Sequence, residues 1–422
     1  MTPIEDRADS VRPGGNPRRT LLESPDMTSA INIAVPLLDL KAQYATIRSE
    51  IEPAVQEVLE SQIFIGGPKV AEFECRCAGY LDVPFTVGNS SGSDALILAL
   101  DALGVGPGDE VLVPTYTFFS TAGSVSRVGA TPVFVDIDPT TYQIDPASIR
   151  RILEGRKPGA VKALMPVHLF GQSADLDAVM SIAEEHDLRV IEDAAQAFGT
   201  EDVHGRRVGS VGDIGTFSFF PSKNLGGFGD GGLCTARDEA LAERMIRFRN
   251  HGMKPKYFHH DVGLNARLDA LQAAILLVKI EHLDAWSAGR QANAAWYDEA
   301  FAAAGAATSV VSLDEGGLPL RTPQPAPKGA RHIYNQYVLR VPGSHRDAIR
   351  ETLKSAGIGN EVYYPRCLHE QDCYRDIGHQ AGDFPHAERA SRETIAIPIF
   401  PELSEPQRQH VVDTVLDAVR SI

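Results

Sequence analysis

VKALMPVHLF (residues 161–170) and LRVIED (188–193) flank DLDAVMSIAEEH (175–186), and this trio decides the fold. The flanking runs are apolar with little alternation, which suits strands covered on both faces, and the middle run has helix length. The pattern continues toward the N-terminus, where EVLVP (110–114) and TPVFVDI (131–137) read as strands and GSDALILALDAL (92–103) as a helix. Such an alternation predicts an open α/β domain with a mostly parallel sheet, whose ligands gather at the carboxyl ends of the strands.

Toward the C-terminus the pattern changes. Residues from about Arg267 to Ala304, beginning RLDALQAAILLVKIEHLDAW, carry apolar residues at helical spacing and predict a long helix linking two domains. GGLPLRTPQPAPKGARH (316–332) then breaks the periodicity, and YNQYVLRV and GNEVYYP read as strands among helices of a small α+β domain. The expected division is a disordered leader over 1–34, a large α/β domain over 35–285 and a small domain over 286–422. The leader, containing VRPGGNPRRT, lacks the apolar centre of a signal peptide, and Met27 offers an alternative start.

Composition narrows the function classes. The 422 residues are 43% hydrophobic with a net charge of −16, enough apolar material for two cores. No basic stripe is present, which argues against nucleic acid as a partner. No apolar run approaches the roughly 18 residues of a membrane span, so no membrane partner is expected. Five cysteines without a CxxC spacing fit reduced thiols in a cytoplasmic protein, and adjacent His259 and His260 are poorly spaced as ligands, so no metal is assigned.

The chemistry centres on Lys223, alone in SFFPSKNLGGFGDGG (218–232) between an apolar run and a glycine-rich turn. Asp193 ends an apolar strand, where an acid by itself is more often a helix cap. In VGNSSGSDALILAL, Gly92 and Ser93 open a helix whose free N–H groups suit a phosphate, although the GK[ST] ending of a Walker loop is missing. PTYTFFSTA follows a strand and places Phe118 or Tyr116 where a flat ring would rest. An anion held by Gly92, Ser93 and Ser218, a ring under Phe118, a carboxylate at Asp193 and an amine at Lys223 together specify pyridoxal phosphate (PLP), with Lys223 forming the Schiff base.

These segments, with VHLFGQ, EDAAQAFG, RNHGMKPKYFH, GLNARLDALQAA and YNQYVLR, resemble in order the DegT/DnrJ/EryC1/StrS family of PLP-dependent nucleotide-sugar aminotransferases, of fold-type I. The resemblance runs from about Val35 to the C-terminus. It implies that Asp193 pairs with the pyridine nitrogen, that Gln196 lies near the phenolic oxygen and that Ser218 contacts the phosphate. It further implies that Asn265 reaches the cofactor phosphate of the neighbouring subunit, which makes the active unit a homodimer with shared sites. Arg267, again from the neighbouring subunit, His332 and Tyr334 fall where relatives contact the sugar nucleotide. HGMKPKYFHH (251–260), with Lys256 and Tyr257, is closer to enzymes aminating C3 of the sugar than C4. The implied reaction takes an amino group from L-glutamate, leaving 2-oxoglutarate, to a nucleotide-linked ketosugar. The alternatives are a dehydratase or lyase on the same scaffold, in which a histidine replaces the lysine in some relatives, and a regulatory protein. The segment YYPRCLHEQ (363–371) departs from the family's YYPxPLHxQ by placing Cys367 where proline is usual.

Overall fold

From Val111 to Pro114 every residue is buried, and so is every residue from Pro132 to Val135 and from Val190 to Asp193. Strands without an exposed side belong to a sheet covered on both faces. In the computed structural model, which describes residues 33–309, 311–315 and 317–422, that sheet has seven strands. They are β1 (Phe85–Asn89), β2 (Glu110–Pro114), β3 (Thr131–Val135), β4 (Val161–Leu164), β5 (Arg189–Asp193), β6 (Ile214–Ser218) and β7 (Gly232–Ala236). Their order is β1-β7-β6-β5-β4-β2-β3, and β7 alone runs antiparallel to its neighbours.

The opening trio behaves as a parallel unit. Helix Leu176–His186, capped by Asp175 through a bond from Ala178 N, connects β4 to β5, and these pair in parallel with Leu164 opposite Val190. VKALMPVHLF is a strand only as far as Leu164. Beyond it the chain turns toward a single 3-10 turn at Leu169–Gly171, where Phe170 has a φ of +61°.

The long helix spans Ala270–Ala303. Its first half, through Ala273, Leu276 and Leu283, packs into the cluster that also holds Phe217 and Leu233 of the seven-stranded sheet. Its second half, through Ala294, Tyr297 and Phe301, packs with Tyr337, Leu339 and Ile397. The latter belong to a second sheet, order β11-β10-β9-β8, of β8 (Ala307–Thr308), β9 (Arg321–Thr322), β10 (Tyr337–Arg340) and β11 (Thr394–Ile397). GNEVYYP, expected as a strand, forms only an isolated bridge from Glu361 to Ala396, because Tyr364 turns toward the large sheet instead.

The expected leader lies outside the described residues except for Ile33 and Ala34, and Ile33 packs half-buried against the cluster of the second sheet. All five cysteines are free. Among the described residues no helix is long and apolar enough to cross a membrane.

Candidate functional site

Strand β5 ends in two adjacent carboxylates that alternation sends to opposite faces of the sheet. Glu192 is fully buried and accepts from His168 Nε2 at 2.9 Å and from the N–H groups of Gly209, Val211 and Gly212 at 2.7, 2.8 and 2.7 Å. Burial pushes its carboxyl upward, but His168 and these amides outweigh it and hold the group below its ordinary pKa. His168 Nδ1 accepts from Ala174 N, which leaves the ring proton on Nε2, facing Glu192.

Asp193 is also buried, yet it receives less. Thr121 Oγ1 donates to Oδ2 at 2.8 Å and Ala195 N to Oδ1 at 3.2 Å. Burial raises its pKa, against the pull of Thr121, Ala195, Lys223 and His168. Lys223 sits on the connection between β6 and β7, partly buried, and among the described residues no hydrogen bond or ion pair holds its side chain. Burial brings the amine down to about 8, with the charge of Asp193 drawing it back up. The amine therefore reaches its neutral, nucleophilic form near physiological pH.

Two of the residues expected to cradle an anion, Gly92 and Ser218, meet closely. Helix Gly92–Leu103 starts after Ser91, whose hydroxyl caps Asp94 N. A Cβ at position 92 would lie 2.6 Å from Ser218 Cβ, so glycine is what lets the helix N-terminus close on the end of β6. Ser93 is exposed, with its hydroxyl 2.6 Å from that of Ser120. Phe118, in the turn after β2, is 62% exposed. Gln196 is fixed at both ends of its amide: Oε1 accepts from Phe170 N at 2.7 Å and Nε2 donates to Tyr364 OH at 2.8 Å. A phosphate cradle that a side chain would fill, a buried and under-satisfied carboxylate and an unpartnered amine are the donor set that PLP requires, and the cofactor fits these residues.

His332 and Tyr334 stack with ring centroids 3.9 Å apart, and Tyr334 N donates to His332 Nδ1. Burial pushes the His332 imidazole down to about 3, so it is neutral. Between them Ile333 O accepts from Asn224 Nδ2, which ties the pair to the residue after Lys223. Asn265, Arg267, Lys256 and Tyr257 form a separate group. Asn265 is exposed and bridges to Asn250, and Arg267 Nη1 donates to Asn250 Oδ1 at 3.3 Å while its Nε has no partner among the described residues. Arg267, Arg249 and Lys256 line a cavity of about 440 Å³, with Arg249 paired to Glu74 behind it. Tyr257 is 76% exposed beneath the Lys256 ammonium. None of these four shares a hydrogen bond with Lys223 or Asp193 among the described residues.

Several site residues escape the sequence. Thr121, Tyr364, Phe170 and the His168–Glu192 pair are each defined by a partner at least 24 residues away. Glu192 alone leaves a trace, as an ionisable residue within an apolar strand. Cys367 is buried, and the turn Leu368–Glu370 that follows it docks on β2's end through Leu368 N to Thr115 O at 2.8 Å.

The chain is 45% identical over 92% of its length, and 99% of the relative's, to a protein of Geobacillus stearothermophilus named as a pleiotropic regulatory protein. It is 42% identical over 91% of its length, and 98% of the relative's, to the UDP-N-acetyl-3-dehydro-alpha-D-glucosamine 3-aminotransferase of Acidithiobacillus ferrooxidans. The solved structure of S. venezuelae DesV in complex with a ketimine intermediate superposes with a TM-score of 0.84 at 39% identity, covering 92% of this chain and 99% of that one. With a family model matching residues 45–416, the chain belongs to the DegT/DnrJ/EryC1/StrS aminotransferase family, whose cofactor is pyridoxal phosphate.

Proposed function

We propose that the protein transfers the amino group of L-glutamate to the C3 ketone of a nucleotide-linked sugar, with Lys223 as its catalytic base and acid. The observation that carries this reading is the Lys223 amine, without a hydrogen bond among the described residues and brought down to about 8 by burial. Bound PLP supplies the electron sink that makes a Cα–H bond acidic. Lys223 Nζ takes the proton from the donor's Cα and, in the return half-reaction, gives a proton to the carbon that carried the ketone. With PLP bound, Gly92, Ser93 and Ser218 would hold its phosphate, Phe118 and Gln196 would contact its ring, and Asp193 would keep the ring nitrogen protonated.

The active unit on this reading is a homodimer. Its support is the cavity lined by Lys256 and Arg267, whose described lining does not include Lys223 and which suits the phosphates of a site completed by a second copy. The exposed Phe118, Phe119, Phe220 and Phe228 supply apolar area for that contact. His332 and Tyr334 face the sugar, and the domain boundary falls near residue 285, inside the long helix. The C3 assignment rests on HGMKPKYFHH and on the kinship with a 3-aminotransferase.

The test is incubation of PLP-loaded protein with L-glutamate and UDP- or dTDP-linked 3-ketosugars. The expected products are 2-oxoglutarate and the 3-aminosugar nucleotide in equal amounts, both lost in Lys223→Ala. A dehydrated sugar without 2-oxoglutarate would instead identify a lyase. Absence of any glutamate-dependent reaction would favour a regulatory role.

A further inference from the structure

The turn that carries Phe118 does more than present an aromatic ring. Thr117 and Thr121 flank it, both buried, with their hydroxyl oxygens 3.2 Å apart. Thr121 Oγ1 lies 2.8 Å from Asp193 Oδ2, and an ionised carboxylate can only accept, so the Thr121 hydrogen points at Asp193. The Thr121 oxygen is then free to accept, and the remaining contact is directed from Thr117 to Thr121. The two hydroxyls form a one-way chain that ends on the carboxylate. The same turn also reaches the phosphate cradle through the Ser120–Ser93 contact.

We propose that Thr117 and Thr121 are positioning residues: their hydrogen-bond relay holds Asp193 ionised and aimed, so that the proton shared with the cofactor's ring nitrogen rests on the nitrogen. Neither residue touches the cofactor in this account, since both act through Asp193. Among the described residues, buried Asp193 has two hydrogen bonds against four for the neighbouring Glu192, so each bond carries a large share of the charge stabilisation. The other ionisable groups acting on Asp193 are Lys223 and His168, with Tyr364 close by. None of them donates a hydrogen bond to either oxygen among the described residues, so none replaces Thr121.

This inference rests on the reading of Asp193 as the partner of the ring nitrogen, and the experiment separates the two. Dissociation constants of the apoprotein are measured for PLP and for a deaza analogue in which C–H replaces the ring nitrogen. The ratio of the two constants reports the Asp193–nitrogen interaction without any turnover. In Thr121→Val the preference for PLP is expected to fall roughly tenfold, the scale of one hydrogen bond to a charged group, while affinity for the analogue stays unchanged. Thr121→Ser is expected to restore the preference. Thr117→Val, which keeps the direct bond and removes only the second donor, is expected to lower it about threefold, and it serves as the decisive variant should Thr121→Val not fold. Equal weakening of PLP and analogue in these variants would show a packing role and overturn the relay. An unchanged preference would overturn it as well. Wild-type protein that binds PLP no better than the analogue would overturn the assignment of Asp193, and the relay with it.

Discussion

The two faces of strand β5 carry the same chemical group one residue apart and treat it oppositely. Glu192 receives four hydrogen bonds and is held below its ordinary pKa, whereas Asp193 receives two and is raised by burial. A buried carboxylate with a complete set of donors is finished as structure. One left short of donors retains affinity for a cation yet to arrive, and a protonated ring nitrogen is such a cation. The number of donors, rather than burial, separates the face that serves the fold from the face proposed to meet the cofactor.

The sharpest way to break this comparison is Asp193→Asn, which keeps size and removes charge. Activity is expected to fall by roughly 10²–10³-fold or more, while the melting temperature of the apoprotein holds or rises, because the substitution removes an under-satisfied buried charge. A loss of apoprotein stability as large as that of a Glu192 variant would erase the distinction. Glu192→Ala is expected to cost about 3–5 kcal/mol in urea denaturation of the apoprotein, since it strands the His168 proton and three amides.

Lys223 sharpens the comparison through pH. With a folded pKa of about 8 against an ordinary 10.5, the apoprotein should capture PLP at a rate that rises with pH and levels off above about 8, read by stopped-flow absorbance. The sign for stability follows from proton counting. The folded state binds the Lys223 proton less tightly than the unfolded state, so the penalty is complete below about pH 8 and fades as pH rises toward 10.5. Apoprotein stability should therefore gain from this group across that window.

Two smaller changes probe the ligand face. Gly92→Ala places a methyl 2.6 Å from Ser218 Cβ and is expected to cost about 1–3 kcal/mol, seen chiefly as weaker binding of PLP rather than as a lower melting temperature. Tyr364→Phe removes the acceptor for Gln196 Nε2 and should weaken cofactor binding by no more than about 1.5 kcal/mol.

The sequence made the local elements legible where pattern and burial agree. EVLVP and GSDALILALDAL match β2 and its preceding helix to the residue, because apolar runs bounded by Pro and Gly have little freedom to shift. VKALMPVHLF stopped being a strand at Leu164, since Pro166 and the Phe170 turn are needed to bring His168 under Glu192. Lys223, Asp193 and the Gly92–Ser93 turn were legible because each stands out against its own neighbours. Thr121 was not, being one hydroxyl among several in PTYTFFSTA and acquiring its meaning only from a carboxylate 72 residues away. The same holds for Tyr364, which sits in a segment whose composition reads as a strand.

The antiparallel placement of β7 has one further consequence. Because Ser218 pairs with Gly232 across adjacent strands, and Phe219 N continues the ladder to Gly231 O, the segment carrying Lys223 is a loop closed at its base. An amine on a loop anchored at both ends of its base is confined to a small volume. On the proposed function, its effective molarity at a reacting carbon would be set by the loop rather than by diffusion.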